Sequence, residues 1–238
     1  MTPASFNVRK ATAIQRAALP RPQQSKLEQF ATLAGAAGEV GAVLDMLNRA
    51  WSLPWDNKFM EPLWMLVLNG VASAERFGLT VQRCGCNQVA GAGRAHIFHE
   101  CAAAQPLFTA IQTELSAALG SPVTLTRRHI WLAERPVQSL HQGIWDLVCL
   151  AAIAAMDRGR AFLYKKVVTG TWPGAALGAA AGRKVVADFL GNLADFCGLN
   201  GAPAEWQVLV PDDHPFLTFD SESRRWRVRR VSDELSTD

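Results

Sequence analysis

Three of the five cysteines and two of the five histidines fall between Cys84 and Cys101. The order is Cys84-Gly85-Cys86, a nine-residue glycine-containing loop over 87–95, then His96-Ile97-Phe98-His99-Glu100-Cys101. Thiolate and imidazole are the ligands that close a tetrahedral Zn²⁺ site. Cys84, Cys86, His96 and Cys101 are the expected set, with His99 as the alternative ligand. Four protein ligands leave no open position, so the chemistry would be structural. Three thiolates around one Zn²⁺ carry a net negative charge, which Arg83 and Arg94 stand near enough in sequence to offset. Cys101 opens a helical pattern, and a helix N-terminus lowers the pKa of a thiol. Against this, cysteine is one of the residues most often buried, and Cys-x-Cys is tighter than the usual Cys-x₂-Cys of zinc sites. Spacing alone therefore leaves a metal site and a chance grouping side by side.

Other chemistry fits less well. Val210-Pro211-Asp212-Asp213 resembles a paired-aspartate metal motif, but its proline favours a turn. Cys101 with His96 or His99 could form the dyad of a cysteine-dependent hydrolase, although the same residues are better used as ligands. Cys149 lies in an apolar stripe, where a thiol is inert. There is no glycine-rich phosphate loop and no Gly-x-Ser-x-Gly elbow.

Residues 58–119 resemble the zinc-binding region that follows the reverse transcriptase domain of non-LTR retrotransposons. Pro62-Leu63-Trp64-Met65-Leu66-Val67-Leu68-Asn69-Gly70-Val71 is similar to its tryptophan-containing apolar helix. Cys84 and Cys86 match its cysteine pair, His96 to Cys101 its His-Leu-Phe-x-x-Cys box, and Ala102 to Leu119 its closing helix. The cysteine spacing is shorter than that pattern, and the acidic residue usual before the histidine is absent. The resemblance implies zinc as cofactor and a nucleic-acid-associated module without its polymerase, not an enzyme. The alternative is a structural or protein-interaction helical protein that does not touch nucleic acid.

The elements that must position these residues read as mainly α-helical. Apolar residues at 27, 30, 33, 34, 37, 40, 44, 47 and 51 predict one amphipathic helix from Leu27 to Trp51, with Ser25 as its N-cap. Pro62 sits near the first turn of a helix over 60–78, with Leu63, Trp64, Val67, Leu68, Val71, Ala74 and Phe77 buried. That helix is expected to pack on the one over 102–119 through Trp64, Leu68, Phe108 and Ile111. A long, broadly apolar helix over 141–168 and another over 175–196 follow. Thr124 to Trp131 is a short strand or a helical turn. After Trp206 the period becomes two, which predicts a C-terminal β-hairpin. The resulting units are a basic N-terminal arm over 1–26, a helical region over 27–120 containing the zinc module at 84–101, a helical domain over 121–204, a hairpin over 205–231 and a flexible tail over 232–238.

Apolar residues make up 49% of the chain and charged residues 19%, enough to build a core and too apolar for general disorder. The formal net charge of +3 is too weak to name a nucleic-acid partner by itself. The nucleic-acid-binding candidates are Arg225, Arg227 and Arg229, which share one face of a strand and could meet successive phosphates of DNA or RNA, weakly and without sequence preference. The longest uncharged stretch of the central helix, 147–156, is too short to cross a bilayer, so no membrane partner is expected. An odd number of scattered cysteines suits a reducing, intracellular compartment, nuclear or cytoplasmic. The acid-free N-terminal arm leaves organelle targeting open.

Overall fold

Between Ile144 and Met156 the only side chain that prefers water is Asp146. A helix with so little polar surface must be covered on every side, and the fold is built around that requirement. The computed structural model describes residues 24–53, 55–80, 84–86, 90–169, 174–198, 216–220 and 225–228. The expected tail, Val210–Asp213, Arg83, Arg229 and all but three residues of the expected basic arm lie outside them.

Among the described residues, eight helical segments and two strands appear in chain order: α1 (Gln24–Ala34), α2 (Val40–Ser52), α3 (Asn57–Val67), a π-helical turn (His96–Glu100), α4 (Gln105–Leu119), α5 (Arg127–Trp131), α6 (Gln142–Val168), α7 (Gly174–Gly198), β1 (Leu217–Asp220) and β2 (Arg225–Val228). The central helix α6 has every residue from Ile144 to Met156 buried. It packs against α7 along its length, and against α3, α2, α5 and the π turn. Trp145 and Trp131 are core anchors, and both indole N–H groups have carbonyl partners. Trp145 Nε1 donates to His129 (3.1 Å) and Glu134 (3.0 Å), and Trp131 Nε1 donates to Phe98 (3.4 Å). Phe30 of α1 stacks on Trp131 at 5.7 Å between ring centroids, tying the N-terminal helices to this core.

Asp146 is the charge that α6 buries. Arg49 of α2 reaches both of its oxygens, Nε to Oδ1 at 3.2 Å and to Oδ2 at 3.1 Å, and Gln142 donates to Oδ1 at 2.9 Å. Burial still pushes the Asp146 carboxyl above its ordinary range, with Arg49 and Gln142 opposing the shift.

Several boundaries differ from the sequence reading. The single helix expected over 27–51 is two. Gly35 has φ of +86°, and Ala36 N–H bonds back to Ala31 O at 2.8 Å, the 6→1 bond of a Schellman stop. Gln24 already begins α1, so Ser25 is inside it rather than capping it. The helix expected over 60–78 runs from Asn57 to Val67, with Pro62 in its middle. The chain leaves it through Asn69 at φ +55°, and Phe77, expected in the core, is exposed. Trp64 is half-buried, edge-on to Trp51 at 6.1 Å. The principal partner of α3 is α6, while α4 packs on α7, so the expected α3–α4 pairing is not the main contact of either. The closing helix starts at Gln105 rather than Ala102. Thr124 to Trp131 resolves as a helical turn at Arg127–Trp131, with Thr126 N–H donating to His129 Nδ1 at 3.0 Å.

Of the hairpin expected over 205–231, the described residues hold two four-residue strands, β1 and β2. They pair antiparallel with Asp220 opposite Arg225, Phe219 opposite Trp226, Thr218 opposite Arg227 and Leu217 opposite Val228. Residues 221–224 between them lie outside the described set.

Candidate metal centre

The two halves of the cluster arrive by different routes. Cys84-Gly85-Cys86 is a turn laid against the C-terminal half of α6. A Cβ at Gly85 would stand 2.9 Å from Leu163 Cβ, closer than side chains approach, so only glycine lets the turn sit there. His96 and Cys101 come from the π turn. Its i→i+5 hydrogen bond, Cys101 N–H to His96 O at 2.7 Å, brings the sixth residue back over the first. An α turn would leave Cys101 about 140° around the axis from His96. Phe98, fully buried, and the bond from Trp131 to its carbonyl hold the π turn to the core.

The potential ligand atoms of Cys84, Cys86, His96 and Cys101 all lie within 4.8 Å of one another. Cys84 Sγ is 3.9 Å from Cys101 Sγ, and Cys86 Sγ is 3.2 Å from His96 Nε2. Ligands at zinc bond lengths in a tetrahedron stand about 3.8 Å apart for two sulfurs and about 3.6 Å for sulfur and nitrogen. The cluster is therefore of the right size to hold a metal ion. Cys86, His96 and Cys101 are buried and Cys84 is half-buried, so the fourth ligand faces the least protein.

The electrostatics point the same way. Hydrogen bonds donated by the charged His96 imidazole to the sulfurs of Cys84 and then Cys86 favour that charged form, raising its pKa to about 10 against the cost of burial. Hydrogen bonds with Cys84 and Cys86, and then burial, push the Cys101 thiol far up. Acidic groups this close cannot all ionise unless a cation sits among them. A divalent metal is such a cation. The depressed thiol expected for Cys101 at a helix N-terminus is overturned: Cys101 has extended backbone at the end of the π turn, upstream of α4, and two thiol neighbours.

Two other expectations about the site are corrected. His99 is not part of the cluster. Its ring meets Phe108 edge-on at 4.8 Å, and burial lowers its pKa. Arg94 does not turn its charge to the ligands. It is buried, and its Nη1 donates to the carbonyls of Leu66 (2.9 Å) and Val67 (3.3 Å) at the end of α3, where the helix dipole favours a cation. Its backbone N–H donates to Glu75 at 3.3 Å. Arg94 thus anchors the approach to His96 on α3, a role with no signal in the sequence beyond an arginine in a loop.

The remaining site candidates are separate. Cys149 is buried in α6 and donates to His129 O at 3.4 Å, and burial pushes its thiol well up, as expected of an inert cysteine. Arg225 and Arg227 lie on β2, two positions apart. Cys84, Cys86, Cys101 and Cys149 form no disulfide. Among the described residues, no helix is long and apolar enough to cross a membrane. Compared with known protein families, curated proteins and solved structures, the chain finds no match.

Proposed function

We propose that Cys84, Cys86, His96 and Cys101 hold one structural Zn²⁺, and that the chain is a zinc-stapled, nucleic-acid-associated module of retroelement origin without its polymerase. The carrying observation is the four-ligand cluster, whose size suits Zn²⁺ and whose thiols favour a neighbouring cation. Three sulfurs and one nitrogen select zinc over harder ions. The metal staples the 84–86 turn to the π turn, and a closed set of four protein ligands argues for stability rather than catalysis. Such a site is worth ~10–16 kcal/mol of apparent binding free energy at neutral pH.

Nucleic-acid association rests on the resemblance of residues 58–119 and on the alternating arginines of the C-terminal segment, read as one hairpin over 205–231. Arg225, Arg227 and Arg229 then make phosphate contacts without base readout. The test is fluorescence anisotropy with duplex and single-stranded oligonucleotides at several salt concentrations. With three to four phosphate contacts, log K against log salt on duplex has a slope near roughly −3, and replacing the three arginines with glutamine flattens it. No binding at low salt, or an unchanged slope, leaves the protein-interaction reading in its place.

A further inference from the structure

A cavity of about 600 Å³ lies between the 72–79 segment, the C-terminal half of α6 and the wall formed by Cys84 and Cys101. Small-molecule sites have volumes of ~300–1,000 Å³, mostly apolar linings and a few placed polar groups. This one has Met156, Leu163 and Val185 in its buried wall. Exposed apolar residues scattered singly on a surface need no explanation. Here, of the five large apolar side chains exposed among the described residues, three line the same cavity: Phe77, Leu79 and Tyr164.

Arg160 is the one charged residue among the described lining residues. Its Nε and Nη2 donate to Asp157 Oδ1 at 3.1 and 3.0 Å, and its Nη1 donates to Ala72 O at 3.4 Å. A guanidinium carries five N–H donors, so two are left for an acceptor in the cavity. Asp157 fixes the guanidinium in place and tempers its charge.

We propose that this cavity binds an amphiphilic monocarboxylate, its apolar body against Met156, Leu163 and Val185 and its head group on Arg160. Charge-assisted bonds from arginine to a carboxylate are the strong class of hydrogen bond, and the rest of the affinity comes from apolar area removed from water. The inference stands on the cavity and Arg160, not on the proposed metal site.

The experiment is isothermal titration of the intact chain with decanoate, kept below its micelle concentration, and with 1-decanol as the uncharged counterpart. Zinc content and circular dichroism are recorded on every sample. The expected result is saturable binding of one decanoate per chain. Arg160→Gln weakens decanoate about tenfold and leaves decanol within about twofold, because only the carboxylate loses a charge-assisted bond. Ala74→Trp, at a half-buried lining position, weakens both ligands at least about tenfold by filling the space. If Ala74→Trp does not fold, the acid-against-alcohol contrast in Arg160→Gln decides alone. Unsaturable or absent decanoate binding to the parent chain, or an Arg160→Gln variant that treats acid and alcohol alike, overturns the proposal. A chain that carries zinc and takes no decanoate overturns it while leaving the metal reading intact.

Discussion

The backbone N–H of Cys101 bonds to the carbonyl of His96 across 2.7 Å, one π turn rather than one α turn apart. The π geometry is what lets two residues five apart share one cluster. Inserting one alanine between His99 and Glu100 turns Cys101 away from His96 and is expected to abolish metal binding, whereas His99→Ala, which only removes the ring from Phe108, leaves it intact. Metal content of the two purified variants checks this. Equal metal in both means the π turn is incidental.

Gly85 sits where a Cβ would meet Leu163 Cβ at 2.9 Å. Gly85→Ala is expected to destabilise the chain by ~1–3 kcal/mol through overpacking. In a Leu163→Gly background, which removes that Cβ, the cost of Gly85→Ala should be smaller. Urea denaturation of the two single variants and the double variant measures the coupling, and strict additivity would show that the turn is free to move.

His96 gives two pH dependences of opposite sign. In the metal-free chain its pKa is raised from 6.5 to about 10 by the thiols of Cys84 and Cys86. A raised folded-state pKa contributes stability that is fully present below the unfolded value and lost as pH rises through the folded one. Metal-free stability is therefore expected to fall between pH 6.5 and about 10, and His96→Gln should remove that slope. Metal binding runs the other way. It must displace the proton on His96 and those on the thiols, so affinity drops steeply as pH falls. Competition with a chromogenic chelator at several pH values reads this directly. A pH-independent affinity would mean that these residues are not the ligands.

Arg49 pairs with Asp146, a carboxyl whose pKa burial already raises. Arg49→Met leaves that carboxylate buried with Gln142 as its remaining partner, and is expected to cost about 1.5–3 kcal/mol at pH 7. A carboxyl raised in the folded state favours the protonated form there, so the loss should shrink as pH falls toward 5 and Asp146 takes up a proton. Thermal denaturation of parent and variant at the two pH values tests it.

What could be read in advance follows from how local the signal is. The helix Gln142–Val168 is legible because apolar residues repeat over many turns and its end carries Asp157, Arg158 and Arg160. The four candidate ligands are legible as residue types within a short span. The break at Gly35 is not, because the apolar period runs straight through it and only the left-handed φ reveals the stop. The end of α3 is hidden in the same way, since Val71, Ala74 and Phe77 continue the helical period past Asn69. The π turn has no period of its own, so the closeness of His96 and Cys101 could be guessed but not its cause. Charge alone puts Arg94 beside the candidate ligands, whereas the carbonyls of Leu66 and Val67 at the end of α3 claim it instead.

The central claim is one structural Zn²⁺ held by Cys84, Cys86, His96 and Cys101. The most direct measurement is elemental analysis of the purified chain by plasma mass spectrometry, beside Cys101→Ala, with proteolysis of residues 84–101 followed before and after chelator. The account predicts one zinc per parent chain, loss of that zinc in the variant, and cleavage within 84–101 once the metal is removed. A parent chain without stoichiometric metal, and equally resistant to proteolysis after chelation, would contradict it.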